Sequence, residues 1–222
     1  MRRALALALA LLACSIAAQP VSVVHVVFSN HLDIGFNSQV PGVPGTDAAV
    51  IERYFQVYFP RAIATAAALR RRGGPERYRY LTHPFLVSLF IDCPRHIGIA
   101  CPTPADVAAF DAAARAGDIV WHALPHNSQV ELMDAELLTF AVELAHSLDR
   151  RYGLPPKLTA SQRDVPGMTR AAVPVLARAG VAALSVGVNS GSAPPGVPLN
   201  TPFVWADERT GQQLLAFWHA GG

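Results

Sequence analysis

The segment Val21 to Asn30, VSVVHVVFSN, carries apolar side chains at both alternating positions of an extended chain. A strand of that kind is buried on both faces, as in the parallel sheet of an α/β protein. It runs into a polar cluster, Ser29 to Asp33, and then a Pro/Gly loop, VPGVPG. From there helical and strand-like segments alternate, which is the pattern of a parallel α/β core.

The spacing of Ala48, Ile51, Tyr54, Phe55, Tyr58, Ala62 and Ala66 predicts a helix over about 46–72, which Pro60 kinks or divides. Strands are expected at Tyr78–Thr82, Asp118–Ala123, Lys157–Gln162 and Val181–Val188. Helices are expected at Pro102–Ala116, Asp134–Tyr152 and Met168–Ala179, stopped by Gly117, Gly153 and Gly180. Thr103 caps the first of these and Pro104 suits its first turn. PFLVSLFIDCP fits helix and strand periods equally. Phe203–Trp205 and Gln213–Trp218 read as a hairpin turned at Thr210-Gly211, preceded by a long loop, Ser190 to Pro202.

Of the 222 residues, 51% are hydrophobic and 15% charged, enough apolar material for one sizeable core. The formal net charge is +2 and there is no Lys/Arg stripe, so no nucleic-acid partner is expected. Arg70 to Arg72 read as the basic last turn of a helix before Gly73. The start, MRRALALALALLACSIAAQP, has the order of a secretory signal, and its apolar run is too short for a membrane span. Two exits remain open. Cleavage near Ala18 would leave residues 19–222 as one secreted or periplasmic domain, and LLAC would instead allow lipid anchoring through Cys14. Cys93 and Cys101 form an even pair in such an exported chain, which points to a disulfide, with two buried thiols as the other reading.

His31 and Asp33 stand two apart where the first strand ends, so both side chains project to one side. An imidazole and a carboxylate converging there are zinc-ligand types, and strand ends are where α/β barrels place their sites. Asp164 also follows a strand and precedes Pro166-Gly167 and a helix. A turn at Asp33 and a helix cap at Asp164 are the plain structural alternatives. Among the other histidines, His126 reads as a loop hydrogen-bonder or a pocket residue, His219 as a plain strand residue or one that approaches a site, His122 as a core or pocket residue, and His25 as a core histidine. His83, His96 and His146 have no ligand spacing, and Trp121, Trp205 and Trp218 read as core. No dinucleotide fingerprint, nucleophile elbow or P-loop is present.

HLDIGF, His31 to Phe36, resembles the H-x-D-x-G-W opening of the family-38 glycoside hydrolases, the α-mannosidases. SQRDVPGMTRAAVPVLARAGVAAL is similar to their segment of Asp, Pro and Gly followed by helix and strand. GDIVWHALPHNSQVELMD and PFVWADERTGQQLLAFWHAGG resemble a divergent branch of that family. The resemblance implies a seven-stranded β/α barrel of the glycoside hydrolase/deacetylase type, incomplete in this chain. It implies a zinc ion held by His31, Asp33 and Asp164, with Asp164 also the nucleophile of a retaining reaction on an α-mannoside or related glycan. Phe36 replaces the family's Trp as an aromatic face for sugar, with His126 and His219 as further substrate-binding candidates. The family's fourth ligand and its acid/base carboxylate have no assignable match, and Asp207 and Glu208, the only carboxylates after Asp164, read as solvated turn residues. Two other functions stay open: a non-catalytic carbohydrate-binding or degenerate protein, and a metal-dependent carbohydrate deacetylase.

Overall fold

Two helical stretches separated by one wide turn open the main body of the computed structural model, which describes residues 22, 31, 32, 47–165, 167–189, 191, 196–198 and 200–220. Helix α1 is Asp47–Arg53, a π turn covers Tyr54–Tyr58, and α2 is Phe59–Arg72. Pro60 has no N–H to give and its ring would clash with the carbonyl four residues back. The π turn absorbs that conflict: the Phe59 N–H bonds the Tyr54 carbonyl, five residues earlier. The helix expected over about 46–72, kinked or divided by Pro60, is thus interrupted just before that residue. Gly73, at φ 74°, ends α2 in the left-handed region where a side chain would be strained. Arg70 does more than sit in a basic last turn, because it pairs with the buried carboxylate of Asp118.

Strand β1 is Tyr80–Thr82 and α3 is Pro84–Ile91, so tertiary packing settles the ambiguous apolar segment as helix. Helix α4, Pro104–Arg115, starts with a reciprocal cap in which Thr103 accepts from the Asp106 N–H and the Asp106 carboxylate accepts from the Thr103 N–H. Strand β2, Ile119–Trp121, follows, then α5, Ala135–Tyr152, capped by the Asp134 carboxylate on the Leu137 N–H. The remaining elements are β3 (Thr159–Asp164), α6 (Ala172–Arg178), β4 (Ala183–Val188), β5 (Thr201–Asp207) and β6 (Gln212–Ala220).

β1 and β2 pair in parallel; β3, β4 and β6 form a second parallel run, with β5 antiparallel on its edge in the order β3-β4-β6-β5. The Ala123 N–H donates to the Thr159 carbonyl at 2.9 Å, which joins the end of β2 to the start of β3. Strands β1, β2, β3 and β4 therefore follow one another in chain order with helices between them. This is a β/α arrangement, but the expected seven-stranded barrel is not what the described residues form. They give sheets of two and four strands, and the antiparallel β5 takes an edge where a barrel would continue with a parallel strand.

Two apolar cores stabilise this arrangement. One gathers Phe55, Phe59, Phe90, Phe110 and Trp121 around β1 and β2. The other packs Val173 and Leu176 of α6 on Leu184, Val186, Leu214 and Trp218 of the larger sheet. Cys93 and Cys101 are joined in a disulfide, with Cα atoms 5.7 Å apart. No helix among the described residues is long and apolar enough to cross a membrane. The signal segment 1–18, Cys14, the strand expected at Val21–Asn30 (apart from Ser22) with His25, and Asp33, Gly35, Phe36 and Pro166 lie outside the described residues.

Candidate active site

Asp164 is the last residue of β3, and its backbone turns there. Its φ is 66°, and the Val165 N–H donates to the Arg163 carbonyl at 2.7 Å, closing a three-residue turn of the rarer hand about Asp164. Holding a non-glycine residue in that region costs on the order of 1 kcal/mol, a type of strain that persists where neighbours over-determine the geometry. Here Asn189, just past β4, over-determines it. Its backbone N–H donates to the Asp164 carbonyl at 3.1 Å and its side-chain Nδ2 donates to Asp164 Oδ1 at 2.8 Å. The Asn189 amide is itself oriented by the Gly191 N–H, which donates to Asn189 Oδ1 at 2.8 Å.

One carboxylate oxygen is thus engaged, and the other faces His31. His31 Nε2 lies 3.6 Å from Asp164 Oδ2, with both side chains about one-third exposed. His31 is fixed from both directions: Tyr54 Oη donates to its carbonyl at 3.0 Å, and Leu32 is buried in the aromatic core. Two ligand atoms each about 2.0–2.1 Å from a tetrahedral zinc lie about 3.3 Å apart. The imidazole and carboxylate therefore stand near the separation a shared zinc ion requires, and their chemistry suits it. No group of three or more His, Cys, Asp or Glu side chains spaced for a metal occurs among the described residues.

The structure separates the other expected residues. His219, on β6, meets Arg163 and lines a cleft of about 650 Å³ on the open face of the larger sheet. His126 donates from Nδ1 to the Asn127 carbonyl at 2.9 Å and lies edge-on to Phe85, outside that cleft. His122 is both core and cleft residue. It is buried and lines the cleft, its Nδ1 accepts from the Leu124 N–H at 3.2 Å, and its Nε2 therefore carries the proton that faces His83 Nδ1, 3.2 Å away. Burial, then the His83 neighbour and the Arg163 charge, hold His122 well below the ordinary histidine range, so it stays neutral. Asp207 and Glu208 close the β5–β6 turn, at the start of β6, whereas Asp164 aligns with Ala220 at its end. The length of β6 separates them from Asp164, roughly 25 Å at about 3.3 Å per residue. Asp207 is less solvated than its turn position suggested: it is buried and accepts from Thr210 Oγ1 at 2.6 Å, which holds its pKa down.

Sequence reasoning missed Asn189, Arg163 and the His83–His122 pair. Asn189 had a legible signal, since it directly follows the strand expected at Val181–Val188.

No protein-family model matches the chain, and neither does any curated protein sequence. Solved structures do match. A 4-α-glucanotransferase from Thermococcus litoralis superposes with a TM-score of 0.51 at 14% identity, over 78% of this chain and 25% of that one. An α-mannosidase from Enterococcus faecalis V583 superposes with a TM-score of 0.55 at 12% identity, over 76% of this chain and 18% of that one. The chain thus spans a quarter or less of the length of either enzyme. At such identities the likeness is one of architecture, and the chain carries an α/β fold like that of part of these carbohydrate-processing enzymes.

Proposed function

We propose that this chain carries the zinc-binding, nucleophile-bearing part of a retaining glycosidase of the α-mannosidase type. The observation that supports it is the convergence of His31 Nε2 and Asp164 Oδ2, 3.6 Å apart, where β3 ends. The motif resemblance through His31–Phe36 and Ser161–Leu184 and the likeness to part of an α-mannosidase point the same way.

In this reading His31 and Asp164, with Asp33, hold the zinc, and Phe36 offers a face to the sugar. Bound zinc supplies a template that orients sugar hydroxyls. The Asn189 amide keeps the Asp164 carboxylate aimed by donating to Oδ1. The carboxylate attacks the anomeric carbon, forming a C–O bond as the bond to the leaving oxygen breaks and that oxygen takes a proton. Water then displaces Asp164, and configuration is retained. The proton donor must stand about 5–5.5 Å from the nucleophile. Asp207 and Glu208, at the far end of β6, cannot supply it. That placement favours one second reading, a glycan-binding protein that keeps the site without turnover.

The Cys93–Cys101 disulfide supports export, since such bonds persist in oxidising compartments. Residues 1–18 are then the leader and the glycan is met outside the cytoplasm. The test is zinc content of the purified chain for wild type, His31→Ala and Asp33→Ala, together with hydrolysis of aryl α-mannosides. Near-stoichiometric zinc lost in both variants, with hydrolysis abolished in Asp164→Asn, is the expected result. Zinc without hydrolysis would move the binding reading ahead, and a folded wild type with no zinc would sink the assignment.

A further inference from the structure

The open face of β3, β4 and β6 carries a charge with no carboxylate partner among the described residues. Register places Arg163, Gly187 and His219 in one row across the three strands. Gly187 presents no side chain, so the Arg163 guanidinium reaches over the central strand to His219 Nε2. Its other arm donates to Ser185 Oγ at 3.3 Å. A guanidinium only donates, so His219 Nε2 accepts and that imidazole is neutral. Lys157 is matched by Asp149, Arg151 by Asp92 and Arg70 by Asp118. Arg163 has no carboxylate partner among the described residues, and none lines the cleft of about 650 Å³ that it faces. The rest of the cleft is mostly apolar, with Leu158 and Phe217 leaving much of their surface to solvent.

We propose that Arg163, assisted by Ser185 and His219, binds the oxyanion of an acidic ligand, a carboxylate or a phosphate monoester, whose less polar body lies along Leu158 and Phe217. The guanidinium fork fits either anion through paired N–H donors, and Ser185 Oγ adds a donor beside it. That the ligand is an acidic saccharide rests on the glycosidase reading; that it is an anion does not.

The test follows the histidine Cε1–H resonances of the full chain during titration with glucuronate, inorganic phosphate and glucose. A neutral chelator, phenanthroline, is present, so that anion binding by a metal at His31 and Asp164 plays no part. Glucuronate or phosphate should shift the His219 signal saturably while glucose leaves it in place, and the better of the two anions identifies the ligand class. Arg163→Gln should weaken the anion response at least tenfold, and Ser185→Ala several-fold. The proposal is overturned if neither anion moves His219, if glucose moves it equally, or if Arg163→Gln leaves the response intact. Should Arg163→Gln fail to fold, Ser185→Ala decides, and an unchanged response in that variant overturns the proposal. Zinc content is measured separately, so loss of the metal reading would leave this result standing.

Discussion

The two sheets of this molecule solve opposite problems. β1 and β2 are three residues each, and helices α2, α3, α4 and α5 pack aromatic and aliphatic side chains around them, so that Phe59, Phe90, Phe110, Ile119 and Trp121 are buried. Phe59 illustrates the result, with the rings of Phe110, Phe90, Tyr80 and Phe55 at centroid distances of 5.1, 5.3, 6.2 and 6.4 Å. The larger sheet has strands of six to nine residues and, among the described residues, only one covered face. On that face lie Leu184, Val186, Leu214 and Trp218, while the alternate positions Ser185, Leu215, Phe217 and His219 look into an open cleft or solvent. The first region stabilises the fold; the second carries Asp164 at its end and Arg163 on its open face. A surface must forgo full packing to receive a ligand, which is why the proposed anion site falls on the larger sheet.

The sharpest way to break that comparison is to truncate one aromatic ring in each region. Phe59→Ala should cost about 3–5 kcal/mol, because a fully buried ring leaves a cavity. Phe217→Ala should cost no more than about 1 kcal/mol, because its ring is already partly in water. Denaturant unfolding measures both, and equal losses would mean that the open face is packed in solution.

The next effect sharpens the account of the first region. Cys93 and Cys101 are eight residues apart, so replacing both with serine frees a short loop. A loss of about 2–3 kcal/mol is expected from chain entropy. The loss should appear in chemical unfolding and vanish when the wild type is compared under reducing conditions.

The smallest effect concerns the seam between the regions. His122 lies at the end of β2 against His83 and lines the cleft, and its folded pKa is depressed by burial. The unfolded chain therefore takes up a proton first as pH falls, and stability is retained above about pH 6.5 and lost progressively below it. The slope from this one group is at most about 1.4 kcal/mol per pH unit. In His122→Gln the dependence of the melting temperature between pH 7 and 5 should flatten. An unchanged slope would place the acid sensitivity elsewhere.

Much of the local structure could be read directly. Thr103, Asp134 and Gly153 mark helix ends because capping needs only neighbouring residues. Strand β4 and the β5–β6 hairpin follow from period-two patterning and the turn at Gly211. PFLVSLFI could not be read, since a short run that is apolar at nearly every position satisfies both periods. The parallel pairing of β3, β4 and β6 was equally out of reach, because it joins strands separated in the chain by a helix or another strand.

The candidate site divides in the same way. His31 and Asp164 were legible as polar residues where apolar strands end, since that position is set by local sequence. What the sequence by itself determined is the order of elements, their caps and the residue types at strand exits, all of which depend on short-range periodicity and hydrogen-bonding chemistry. Tertiary structure alone decided that Asp164 turns under the hold of Asn189, 25 residues on, and that Arg163 meets His219 across Gly187. Those arrangements arise from strand register, and register is fixed by the packing of whole faces rather than by any residue's neighbours in the chain.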